Sequence, residues 1–131
     1  MSRTKLTEDA AIQIARNLPD ELEELNMSHN PCVGVETTKS ICEWIKQTKP
    51  STLKVLDLES CRILDAGIEL ISDTIVSGSH LSFLNISDNK IGAEGAMHVS
   101  ECLKDNAHLK ILFMRWNPFG LKGGRYIAEA L

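Results

Sequence analysis

Residue types able to do chemistry are scattered along the 131-residue chain, and their spacing decides what chemistry they can do. Cys32, Cys42, Cys61 and Cys102 would make a zinc or redox centre in C-x-x-C pairs, and no such pair occurs. They read as reduced thiols. His29, His80, His98 and His108 would act as metal ligands in H-E-x-x-H, or as bases beside a Ser or Cys nucleophile; neither signature is present. Glu24, Asp57, Glu59 and Asp88 have no companion base or metal cluster, so they read as solvated strand residues. "GLKGG" at 120–124 lacks the G-x-x-x-x-G-K-[ST] order of a phosphate loop. The expectation is a chain with no catalytic residues, no cofactor and no metal.

The chemistry that remains is recognition, and it concentrates in "LKILFMRWN" at 109–117. Leu109, Leu112 and Met114 fit a buried alternation. Ile111, Phe113, Arg115 and Trp116 fall on the solvent side of it, in a chain with only three Phe, two Trp and one Tyr. Exposed apolar patches mark contacts, and Trp and Arg are favoured hot-spot residues.

These residues sit in a repeat. "LEELNMSHN" from Leu22, "LKVLDLESC" from Leu53, "LSFLNISDN" from Leu81 and "LKILFMRWN" from Leu109 share the pattern L-x-x-L-x-L-x-x-N/C, at spacings of 31, 28 and 28 residues. Two residues past the Asn/Cys stands an apolar residue: Cys32, Ile63, Ile91 or Phe119. Glycine follows at Gly67, Gly95 and Gly123. Next come the helical stripes Ile71/Ile75, Val99/Leu103 and Ile127/Leu131, with Ile41/Ile45 in the first unit after one inserted residue. Helices are predicted near 35–47, 65–77, 93–105 and 121–131, with Pro50 at the exit of the first of these. "KLTEDAAIQIARNL" aligns Leu6, Ala10, Ile14 and Leu18 on Ile91, Gly95, Val99 and Leu103, so a helix without its own strand leads the chain.

The 28-residue period, the LxxLxLxxN/C strand, the alternation of Asn with Cys at its end and the glycine opening a full helix resemble the leucine-rich repeats of the ribonuclease-inhibitor subfamily. The resemblance implies an α/β solenoid, with parallel strands on a concave face and helices on a convex one. It covers nearly all of the chain, read as one domain over 1–131: a leading half-repeat at 1–21, then units at 22–52, 53–80, 81–108 and 109–131. A single unit cannot bury its apolar face, whereas stacked units can. The family includes inhibitors, GTPase activators, actin-capping proteins and immune sensors, so fold alone does not choose among them.

In each strand segment positions 1, 4 and 6 point inward. Asn30, Cys61, Asn89 and Asn117 form a ladder that satisfies backbone groups of the turn. Positions 3, 5, 7 and 8 face the concave side. There the amino-terminal half is polar and acidic, and the carboxyl-terminal half is aromatic, with Arg115 and Lys110 at hand. The expected protein-binding residues are Phe83, Ile111, Phe113, Arg115 and Trp116, with Asp57 and Glu59 supplying charge complementarity. Trp116 packed over its turn against Phe119 is the competing expectation.

Composition is that of an ordinary globular chain, 43% hydrophobic and 24% charged. A net charge of −4 argues against nucleic acid as partner. No apolar run is long enough for a membrane span, and "MSRTKLTEDAAIQIARNLPDELEEL" has no signal-peptide core. The sequons at Asn26 and Asn85 fall inside predicted strands. A cytoplasmic protein-binding scaffold is the expectation. The alternatives are a regulatory domain of a GTPase- or actin-related system, or a self-associating solenoid fragment, since both ends look uncapped and a homodimer could bury one.

Cys42 and Cys102 fall on helices of non-adjacent units, too far apart for a bridge that needs α-carbons within roughly 7 Å. Thiol titration of the denatured, unreduced chain should therefore find all four cysteines free; two or fewer would contradict the reduced-thiol assignment.

Overall fold

Period-2 alternation forces alternate side chains to opposite faces, and each L-x-x-L-x-L segment duly supplies a strand in the computed structural model. The structure describes residues 6–48, 52–105 and 108–131; Pro50, the expected helix exit, lies outside them. The elements are α1 (Glu8–Arg16), β1 (Glu24–Asn26), α2 (Val35–Gln47), β2 (Val55–Asp57), α3 (Leu64–Val76), β3 (Phe83–Asn85), α4 (Ala93–Asp105), β4 (Ile111–Phe113) and α5 (Gly120–Ala130). The sheet runs β1-β2-β3-β4, every pair parallel. Its register places Glu24, Val55, Phe83 and Ile111 side by side. This is the expected α/β solenoid, and α2 and α4 span the predicted ranges. No helix among the described residues is long and apolar enough to cross a membrane.

The core lies between sheet and helices. Leu56, Leu58, Leu84 and Ile86 are each at most 3% exposed, and Ile63, Ile68 and Ile91 are fully buried. Helix α1 starts on an N-cap, with the Thr7 hydroxyl accepting the Ala10 N–H. All four cysteines are free.

The strand-end ladder is the link between units. Asn89, fully buried, donates from Nδ2 to the carbonyls of Leu58 (2.8 Å) and Ser87 (2.9 Å), and its Oδ1 accepts the Ile63 N–H at 3.2 Å. Asn117 repeats this one unit on, donating to Ile86 O and accepting from Asn89 and Ile91 N–H. Cys61 holds the same place with a thiol aimed at Met27 O, 3.2 Å away. Asp65 adds a link not foreseen from the repeat pattern. Its Oδ1 accepts the Gly92 N–H at 2.7 Å, a carboxylate placed at the amino terminus of the next unit's helix.

Several expectations fail on contact with neighbouring units. Val33, fully buried, fills the core place assigned to Cys32, which is only half-buried; the residue inserted in the first unit shifts the phase by one. Helix α1 buries Ala11 and Ala15 against α2, whereas Ile14 is 45% exposed, because no strand of its own precedes α1 among the described residues. Leu131, read as the last core position of its helix, is likewise exposed. Gly95 lies in the opening turn of α4, as expected, and a Cβ there would meet Asp65 Oδ1 at 2.6 Å as well as the Ile91 side chain.

Leu84→Ala should lower the unfolding free energy by about 2–5 kcal/mol, and Asn89→Ala by about 1–3 kcal/mol for each buried group it leaves unpaired. Denaturant titrations of both variants check this; an Asn89 variant as stable as wild type would remove the ladder from its structural role.

Candidate functional site

The concave face is organised by a hydrogen bond at strand position 5. Asn26 Oδ1 accepts the Ser28 N–H at 2.9 Å, Asp57 Oδ1 the Glu59 N–H at 3.0 Å, and Asn85 Oδ1 the Ser87 N–H at 3.1 Å. Each is a short side chain capping the bend that ends its strand. Asp57, expected to offer its charge outward, spends one carboxylate oxygen in this way. Asn85 and Ser87 are 8% and 1% exposed, so these two positions are covered rather than open. The asparagines of both sequons do the same capping work.

The fourth unit departs from the rule. Phe113 occupies position 5 and has no acceptor atom, and the Arg115 N–H instead bonds Ser87 Oγ at 3.0 Å in the unit before. Phe113 meets Phe83 edge to face, ring centroids 5.6 Å apart and planes at 70°. The Arg115 guanidinium lies 5.0 Å from the Trp116 ring centroid and 6.0 Å from that of Phe113. Ile111 sits beside Phe83 in the register. Ile111, Phe113 and Trp116 are 48%, 42% and 71% exposed. Five of the seven expected binding residues thus form one continuous surface. Its apolar part is framed by a guanidinium held between two rings.

Trp116 stands largely in solvent. It has φ 57°, and so belongs to a column of left-handed residues at position 8 with His29, Ser60 and Asp88 at 62°, 54° and 53°. That conformation is uncommon outside glycine and costs a bulky residue most. The first three column members donate their N–H to the next unit: His29 to Glu59 O, Ser60 to Ser87 O and Asp88 to Arg115 O. The geometry belongs to the repeat, and the indole is mounted on it.

Asp57 and Glu59 stand apart from this surface. Asp57 pairs with Asn85, which pairs with Phe113, so two strand spacings of about 4.8 Å each separate them. Glu59 faces His29 at 3.7 Å. His80 and His108 stack edge to face across adjacent units with centroids 5.1 Å apart, as their matching places before β3 and β4 implied. His98 is half-buried against Glu69 at 3.9 Å.

The buried thiols are weak nucleophiles. Burial pushes the Cys61 and Cys102 thiols up to about 11, and desolvation raises that of Cys42 despite its hydrogen bond with Thr74. At neutral pH such thiols stay protonated and weakly nucleophilic. Among the described residues no group of three His, Cys, Asp or Glu converges as a metal site.

The sequence model of the Leucine Rich repeat matches residues 49–72, 79–100 and 105–128, together more than half of the chain and three of its four strand–helix units. A comparison with curated protein sequences gave no match. Among solved structures, leiomodin-1 actin-binding site 2 superposes with a TM-score of 0.77 at 22% identity, over 93% of this chain and 70% of that one. The tropomodulin C-terminal domain of Caenorhabditis elegans superposes with a TM-score of 0.58 at 14% identity, over 95% and 90%. At these identities the likeness is one of fold.

Replacing the strained indole by a residue that accepts left-handed backbone, Trp116→Asn, should raise stability by up to about 1 kcal/mol. Thermal unfolding measures this; a loss of stability would mean that Trp116 is a packing residue after all.

Proposed function

The chain belongs to the leucine-rich-repeat family, and from that premise we propose that it is a protein-binding scaffold whose partner docks on the concave face. The contact residues are Phe83, Ile111, Phe113, Arg115 and Trp116, and Asp57 and Glu59 contribute charge at the rim. One observation carries this reading. Three units use position 5 for a local capping bond, and the fourth gives that bond up for an exposed phenylalanine, beside a tryptophan in a costly backbone conformation. Neither choice serves the repeat, so both are best explained by what they contact.

The surface suits recognition physically. Strands tied at both ends hold these side chains in place before the partner arrives, which lowers the ordering cost of binding. Edge-to-face rings and a stacked guanidinium offer a flat apolar area with one positive charge at its margin. A partner presenting apolar side chains beside a carboxylate fits it.

A second reading narrows the partner to actin or an actin-associated protein. It rests on the fold likeness to leiomodin-1 actin-binding site 2, the match with the higher of the two TM-scores. Location in the cytoplasm goes with it. No observation favours regulation of a GTPase.

In pull-downs from cytosolic extract, Phe113→Ala, Arg115→Ala and Trp116→Ala should each weaken capture of a specific partner by more than about 1 kcal/mol. Asn26→Ala and Ser28→Ala at the far end should change it little. Co-sedimentation with actin filaments tests the narrower reading on the same variants. If the three carboxyl-terminal variants retain every captured protein, the concave-face assignment is wrong.

A further inference from the structure

Just before β3 and β4 stands a pair of imidazoles that the concave face does not use. His80 and His108 each precede the first leucine of their repeat, 28 residues apart in the chain. Ligand spacing along the sequence passes over such a pair, because only the stacking of units brings it together. Phe83 pairs with Ile111 in the register, so the residues three places before them enter the sheet side by side. Their rings meet with centroids 5.1 Å apart and planes at 73°. Both residues are exposed, and His80 is so with a unit on either side of it.

The repeat does not call for histidine at this place. The second unit has Thr52 there, and its hydroxyl donates to the carbonyls of Asp20 and Leu22 at 3.1 and 2.9 Å. The leading segment has Glu21. A short hydroxyl thus suffices for the backbone where strands enter the sheet, and two imidazoles in succession are more than it needs.

Imidazole nitrogen is a ligand for borderline divalent ions such as zinc, copper and nickel. The spacing fits a shared ion. With a zinc–nitrogen bond of about 2.0–2.1 Å and a ring centre about 1.2 Å behind the nitrogen, two imidazoles at a tetrahedral angle have their centroids about 5.2 Å apart. Edge-to-face contact turns the nitrogens of one ring aside. Rotation about its χ2, a soft torsion in histidine, swings them round, while the centroid lies near the torsion axis and stays in place. Each ring has two nitrogens, so a hydrogen bond at one is compatible with an ion at the other and fixes the tautomer that binds. Among the described residues no third His, Cys, Asp or Glu joins the pair. Residues 78–82 and 106–110 include no carboxylate, and their single basic residue is Lys110, exposed to water that weakens its field.

We propose that His80 and His108 together bind one divalent transition-metal ion of the zinc class at the junction of the third and fourth units, with water in its remaining positions. The ion ties these units where their strands enter the sheet, as Asn117 ties them where the strands leave it. Two protein ligands make the ion exchangeable, unlike the closed four-ligand site of a structural zinc. The site stands on the imidazole pair alone and is independent of the concave-face reading.

Calorimetric titration of zinc chloride into the full chain, free of any histidine tag, tests this. One ion per chain should bind in the micromolar range. His80→Gln and His108→Gln should each weaken binding by about a hundredfold, as when one of two linked ligands is lost. His29→Gln, His98→Gln and Cys32→Ser, which removes the most accessible thiol, should bind as wild type does. Thermal unfolding gives a second readout. Zinc should raise the melting temperature of wild type, because an ion held by the folded pair stabilises it by linkage. His108→Phe keeps an aromatic ring at the contact and removes the ligand, so it should unfold as wild type does without zinc and lose the response to it. Circular dichroism confirms that each variant is folded. Absence of binding at millimolar zinc, binding retained by either glutamine variant, or binding lost instead with His29, His98 or Cys32 would each overturn the proposal and leave the two rings a stacked pair only.

Discussion

Everything else in this molecule depends on side chains at the strand ends reaching back into the unit before. Asn89, fully buried, bonds the Leu58 carbonyl, and the half-buried Asn117 bonds the Ile86 carbonyl. Unpaired amides in that position would cost most of what burial of the neighbouring leucines contributes. The ladder therefore fixes register as well as stacking. A slip of one residue would turn Leu84 and Ile86 outward and strand the amides at once. Cys61 shows how far the arrangement tolerates substitution, since a thiol offers one weak donor where the amide offers two stronger ones and an acceptor.

Because the register is rigid, differences between units appear as differences in surface chemistry. The same backbone carries Asn26, Asp57, Asn85 and Phe113 at one position and His29, Ser60, Asp88 and Trp116 at another. In three units these side chains largely serve their own turn. In the fourth they do not, and the hydroxyl of Ser87 takes over the bond that Phe113 cannot make. A neighbouring unit thus frees a position for contact without unravelling the strand end. The fold supplies a platform, and the departures from its rule carry the functional argument.

Charge is unevenly spread along the same axis. The last unit carries Lys110, Arg115, Lys122 and Arg125 against Glu129, whereas every unit before it has more carboxylates than lysines and arginines. In a solenoid such a contrast stays separated in space, whereas in a globule of mixed topology it would be folded back on itself. The aromatic patch lies in the basic unit and on β3 beside it.

The sequence by itself determined the repeat, the four strands and the boundaries of α2 to α5 to within a residue, all of which follow from local alternation and a recurring 28-residue interval, and the parallel order followed from the family resemblance. It also placed Cys61 in the ladder and picked out Phe83, Ile111, Phe113, Arg115 and Trp116, whose types break the pattern at known phase. Tertiary structure alone decided which of the outward positions are open. Period-2 alternation says on which side of its own backbone a residue lies, and nothing about what another unit lays over it. Hence Asn85 and Ser87 prove covered, Ile14 and Leu131 prove bare, and Val33 takes the place read for Cys32. The capping bond at position 5 and the left-handed turn at position 8 were equally hidden. Both are set by backbone angles and by contacts with residues a full repeat away, which no local pattern encodes.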